Sequence, residues 1–177
     1  ERYPDEYETY QIETWVSDVN RLMSTRNFIL YDMQGSIIGK ACTNWSMIDF
    51  KTRLPLDLRN IGQYQAAIIP QDPPIERPAK ITKINGTVTE SHLIRYSDID
   101  FNQHTNSMKY VQWMVDMLPL KKFTDQRLCR LDINFLHETR YGQLVQIVME
   151  NDDNFDKFEI KLADTGVAAC KATLRWM

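Results

Sequence analysis

Arg95-Tyr96-Ser97-Asp98-Ile99-Asp100-Phe101-Asn102-Gln103-His104-Thr105-Asn106-Ser107-Met108-Lys109-Tyr110 sets a carboxylate, an amide and an imidazole at alternate positions directly before an apolar helical stretch. A helix start carries unpaired backbone N–H groups and a partial positive charge, which suit an oxygen that gains negative charge when a carbonyl is attacked. The pattern points to acyl transfer or hydrolysis. Asp, Asn and Thr also cap helices and open turns, so a purely structural use of the same residues stands beside the chemical one.

Outward from this stretch, residues 106–118 place Met108, Val111, Val115 and Leu118 on one helix face, with Tyr110, Met114 and Met117 widening it. An apolar sector covering more than half the surface predicts a buried helix, stopped by Pro119. A strand is expected over residues 92–97. Four more follow from about Arg127, three of them over residues 144–150, 158–162 and 167–177. Strict alternation in the first of the four puts Cys129, Leu131, Ile133 and Phe135 on one apolar face together with His137, and Glu138 opposite, unless the strand ends or bulges before Glu138.

Gly35, Lys40, Ala41 and Trp45 recur 131 positions later as Gly166, Lys171, Ala172 and Trp176, which predicts two copies of one hairpin. The first copy reads as strands over residues 26–31 and 37–48, preceded by one over 7–16. Pro70, Pro73, Pro74 and Pro78 make residues 70–84 a stiff, extended linker between a first unit, 1–69, and a second, 85–177.

The chain has 177 residues, 43% hydrophobic and 25% charged, with a formal net charge of −3. That composition can build a sizeable core and gives no support for nucleic acid as a partner. No apolar run is long enough for a membrane span. Cys42, Cys129 and Cys170 form no Cys-x-x-Cys pair and no metal-type cluster with the three histidines. Each lies in a strand-like apolar stretch, where a small buried thiol is expected rather than a nucleophile.

The segment Asp100-x-Asn102-x-His104-x-Asn106-x-x-x-Tyr110, with Gln103 between amide and imidazole, resembles the active-site motif of the acyl-ACP thioesterases. A family glutamate has its counterpart in Glu138, 34 positions after His104, and Trp45-x-Met47 ahead of Thr52-Arg53 is similar to the end of the family's first half. The resemblance implies an α+β tandem (double) hotdog, antiparallel sheets wrapped around a central helix. No counterpart of the first unit's initial strand and helix is found, so an omitted N-terminal portion is expected. It implies hydrolysis of fatty acyl-[acyl carrier protein] without metal or organic cofactor, in a cytoplasm or, in a plant, the plastid stroma.

The implied site is Asp100, Asn102, His104 and Glu138, with N–H groups at Thr105 and Asn106 polarising the carbonyl. Glu138 is the expected base for water, with His137 the alternative; His92 is expected to be structural. Thr139 stands where many plant members carry a cysteine, so a thiolate mechanism has no candidate there. Acyl carrier protein is the implied partner, received by Lys121, Lys122, Arg127, Arg130 and Arg140, and a homodimer stays open. An acyl-CoA thioesterase, a hotdog dehydratase and a non-catalytic acyl-binding module are the alternatives.

Overall fold

A computed structural model of the chain describes residues 3–52 and 54–177; Glu1, Arg2 and Arg53, the last belonging to the Thr-Arg pair, lie outside the described residues. The chain divides into two compact units, Glu1–Pro78 and Ala79–Met177.

In the first unit β1 (Gln11–Val19), β2 (Ser24–Tyr31) and β3 (Ile37–Trp45) form an antiparallel sheet in that order. β1 starts four residues later than the apolar pattern suggests, because Tyr7 sits at φ +68° in a turn that an extended strand cannot contain. Val16, Val19 and Leu58 make a small core, on which pack Ile61 and Tyr64, the second lying in the short helix α1 (Gly62–Ala66). Residues 70–84 contain no helix or strand. Their first part is tied back by Trp15 Nε1 donating to the Gln71 carbonyl at 3.1 Å and by an Arg77–Asp18 ion pair.

The second unit contains β4 (Thr87–Leu93), α2 (Ser107–Asp116), α3 (Leu120–Asp125), β5 (Leu128–Phe135), β6 (Leu144–Asn151), β7 (Phe155–Leu162) and β8 (Ala168–Trp176). Its strands form one antiparallel sheet in the order β4-β6-β7-β8-β5. In β7 every second residue is buried: Asp156, Phe158, Ile160 and Leu162 face inward. Lys157 and Lys171 make ion pairs with Glu150 and Glu159 on the strands. α2 lies in the core that Val145, Ile147, Phe158, Ile160, Cys170, Ala172 and Leu174 provide. A sheet wrapped on a central helix is the hotdog arrangement, and the fold is α+β.

Several expectations are corrected. The buried side of α2 is Tyr110, Trp113, Met114 and, just beyond it, Leu118, whereas Met108 is 65% exposed and Val111 and Val115 are half-buried. The apolar sector is wider than the sheet covers, and the side with two aromatic rings takes it because those rings bury the most area. Pro119 does not merely stop α2 but caps the start of α3, whose Phe123 packs edge-on against Trp176 at 5.2 Å. β4 begins and ends about five residues early, since Tyr96–Asp98 turns into a 3-10 helix.

The repeated hairpins are β2–β3 and β7–β8, with Gly35 and Gly166 at positive φ in the connecting turns. Their final tryptophans differ: Trp45 is 57% exposed and Trp176 only 5%. In β5 the register slips between Leu128 and Arg130, so Leu128, Leu131, Ile133 and Phe135 pair with Trp176, Leu174, Ala172 and Cys170. Cys129 is the extra residue and is exposed rather than buried, its thiol donating to the Arg175 carbonyl. Among the described residues no helix is long and apolar enough to cross a membrane.

Candidate active site

Between β4 and α2 the chain makes a tight excursion. Ile99 bridges to Thr105, and the Asp100 N–H donates to the His104 carbonyl at 2.9 Å. Inside this loop Asp100 Oδ1 accepts the N–H groups of Asn102 at 2.8 Å and of His104 at 3.2 Å. Such a carboxylate replaces a missing turn partner. Gln103 takes φ +64°, which closes the loop and delivers His104 back toward α2. Asp100 thus acts on His104 through the backbone. Asn102 and Phe101 lie exposed at the tip.

On the other side of the site β5 ends at Phe135, and the N–H groups of both Leu136 and His137 donate to the Ala169 carbonyl. Two residues opposite one is the irregularity that frees Glu138 from strict alternation. His104 Nε2 lies 3.2 Å from Glu138 Oε2, with side chains 21% and 41% exposed, so the pair is reachable by solvent and substrate. His137 is exposed. His92 is held in the structure: its Nε2 is 3.1 Å from the buried Asp98 carboxylate and its ring lies tilted against Trp113 with centroids 4.3 Å apart.

The helix start differs from expectation. The Thr105 N–H donates to the Thr139 carbonyl at 2.9 Å and the Asn106 N–H to the Asp98 carbonyl at 2.8 Å, so neither is available to polarise a substrate. Asn106 instead caps α2, its Oδ1 accepting from the Met108 N–H at 2.9 Å. That leaves the Ser107 N–H, at the first helical position, without a partner among the described residues.

Arg140, one of the expected docking cations, points its Nη2 at His104 Nε2, 3.4 Å away. Its position two residues beyond Glu138 was the available signal, since i and i+2 share a side in extended chain. Two of the other expected docking cations have carboxylate partners: Lys122 pairs with buried Asp156 at 2.7 Å and Arg130 with Asp132 at 2.8 Å.

Thr139 is fully buried, its hydroxyl hydrogen-bonded to Thr105 and Tyr110. Burial pushes the Cys170 thiol up to about 12 and raises that of Cys42, leaving both as neutral core groups. Among the described residues no cluster of His, Cys, Asp and Glu could hold a metal ion.

Two family models match the chain: the acyl-ACP thioesterase C-terminal domain over residues 82–177 and the acyl-ACP thioesterase N-terminal domain over residues 1–60. A chloroplastic acyl-[acyl-carrier-protein] hydrolase from Cuphea viscosissima is 28% identical over 85% of this chain and 38% of its own length. A chloroplastic oleoyl-acyl carrier protein thioesterase from Coriandrum sativum is 25% identical over 97% of this chain and 50% of its own. The chain therefore spans half or less of these relatives' length. The crystal structure of an acyl-ACP thioesterase from Bacteroides thetaiotaomicron superimposes with a TM-score of 0.88 at 29% identity, covering 97% of this chain and 70% of that one.

Proposed function

The chain belongs to the acyl-ACP thioesterase family, and on that premise we propose that it hydrolyses the thioester of a fatty acyl-[acyl carrier protein] to free fatty acid and carrier protein. The observation that carries the reading is the His104–Glu138 contact at the start of α2. A carboxylate and an imidazole in contact and open to solvent can take a proton from water as it attacks a carbonyl. Glu138 is the general base, and His104 shares or relays the proton through Nε2. Attack builds a tetrahedral oxyanion, which the Ser107 N–H and the partial positive charge of α2 stabilise.

Collapse expels the carrier's thiolate, a leaving group needing little acid help because thiols ionise near about pH 8.5. Asn102 holds water or substrate by its amide, and Asp100 keeps the loop in the shape that presents His104. Direct attack by Glu138 through an anhydride would use the same residue. The chemistry asks for no metal or organic cofactor. The plant relatives are chloroplastic, which favours the plastid stroma if this chain is from a plant and the cytoplasm if it is bacterial.

The test is product analysis with the complete natural polypeptide and a panel of acyl-ACP and acyl-CoA thioesters. Free acid released from acyl-ACP, and lost by at least about 100-fold in Glu138→Gln and His104→Ala, is the expected result. Preference for CoA substrates would favour an acyl-CoA thioesterase. Absence of turnover would favour an acyl-binding module.

A further inference from the structure

We propose that Thr105, Thr139 and Tyr110 are positioning residues for this reaction: a buried clamp of three hydroxyl groups that sets the distance between His104 and Glu138. The proposal rests on the site reading above. Thr105 directly follows His104, and Thr139 directly follows Glu138. The two loops are fastened one residue away from each reacting group, by the Thr105 N–H donating to the Thr139 carbonyl at 2.9 Å and by a 2.7 Å contact between the two threonine hydroxyls. Tyr110, in the first turn of α2, adds its phenol to Thr139 Oγ1 at 2.7 Å. Thr139 is 0% exposed, Tyr110 3% and Thr105 7%, so water cannot substitute for any of these bonds.

The protons account for themselves. Tyr110 Oη donates to Thr139 Oγ1, Thr139 Oγ1 donates to Thr105 Oγ1, and Thr105 Oγ1 donates to the Thr139 carbonyl, 3.3 Å away. This order uses all three hydroxyl hydrogens. The reverse order would leave the phenol hydrogen buried without an acceptor, a costly arrangement. Burial raises the Tyr110 phenol above its usual range, so it remains a donor across the working pH. The ring is itself fixed, edge-on to Trp113 and Phe135 at 5.5 and 6.0 Å. A satisfied buried network of this kind is rigid.

Misplacing a catalytic group by about 1 Å costs roughly 100-fold in rate. Thr139→Val keeps shape and removes both hydroxyl bonds; kcat should fall about 100-fold with KM within about twofold, and Thr139→Ser should restore most of it. Tyr110→Phe loses one neutral hydrogen bond at the far end of the chain, and a fall in kcat of up to about tenfold is expected. It also keeps the question open to experiment if the valine variant does not fold. In parallel, the imidazole nitrogen NMR signals of His104 should move in Thr139→Val and return in Thr139→Ser.

Wild-type kcat in folded Thr139→Val and in Tyr110→Phe would overturn the clamp. So would rate losses that follow thermal stability alone and leave the His104 signals unmoved. Full activity in Glu138→Gln, with the His104 signals still moving in Thr139→Val, would instead overturn the catalytic reading on which the proposal rests.

Discussion

Replacing Lys122 by Met should destabilise the second unit more than replacing its partner Asp156 by Asn. Asp156 is 1% exposed; its Oδ2 accepts from Trp176 Nε1 at 2.7 Å and from Lys122 Nζ at 2.7 Å, while Oδ1 has no partner among the described residues. Lys122→Met leaves a buried carboxylate with one N–H donor. Removing one member of a buried pair costs about 3–5 kcal/mol. The Lys122 side chain is 15% exposed, which places the cost near the lower end, about 3 kcal/mol. Asp156→Asn keeps an acceptor for Trp176 and frees an ammonium that can turn to water, so the loss is that of one charge-assisted bond, about 1.5 kcal/mol. At roughly 2–4 °C per kcal/mol for a chain of this size, Tm should fall by about 6–12 °C in the first variant and 3–6 °C in the second. Thermal unfolding at pH 7 followed by circular dichroism measures both, using the transition of the second unit if the two separate. Equal or reversed losses would refute the argument that the carboxylate, not the ammonium, is the trapped charge.

Asp98 should make the site acid-sensitive. Burial pushes its carboxyl up, but the Arg95 N–H, His92 and Lys109 together outweigh that and hold it below the usual 3.8. A lowered folded value means the stabilisation is present above about pH 4 and is lost as pH falls through it. Urea midpoints from pH 6 down to pH 2 should therefore fall more steeply in the wild type than in Asp98→Asn. Thiol titration of the native protein should label Cys129 alone, with Cys42 and Cys170 reacting only in denaturant; rapid labelling of Cys170 would contradict its burial.

How legible the chain is depends on where the deciding contacts lie. β7 declares itself because Phe158, Ile160 and Leu162 alternate with Lys157, Glu159 and Lys161. β4 does not: Thr87-Val88-Thr89-Glu90-Ser91-His92-Leu93 is an edge strand exposed almost throughout, with no alternation to detect. α3 is shorter than two turns and depends on Phe123–Trp176 and Lys122–Asp156, contacts to residues more than thirty positions away. The Cys129 bulge shifts a face by one residue, which composition cannot reveal. The order Asp100, Asn102, His104 and Glu138 is visible in the sequence. That Arg140 reaches His104, and that Thr139 joins Thr105 and Tyr110, depends on how two loops meet.

The structural and chemical readings of the alternating polar residues turn out to divide the stretch between them rather than compete for it. Asp98 is buried against His92 and accepts the Asn106 N–H at its carbonyl; Asp100 spends its carboxylate on loop N–H groups; Asn106 spends its amide on the helix cap. These three are accounted for by backbone donors that a reversing loop and a helix start would otherwise leave unpaired. Subtracting them leaves Asn102, exposed at the tip, and His104, aimed at Glu138. Asp98 and Asp100 lie on one arm of this short loop, opposite Asn106 and His104 on the other, with Asn102 at the tip. The spacing that looks like a catalytic signature is therefore also the spacing that lets each arm anchor the other. Replacing Asp100 by Ala should on this logic disturb His104 through the backbone, whereas replacing Asn102 should leave the loop's hydrogen bonds intact.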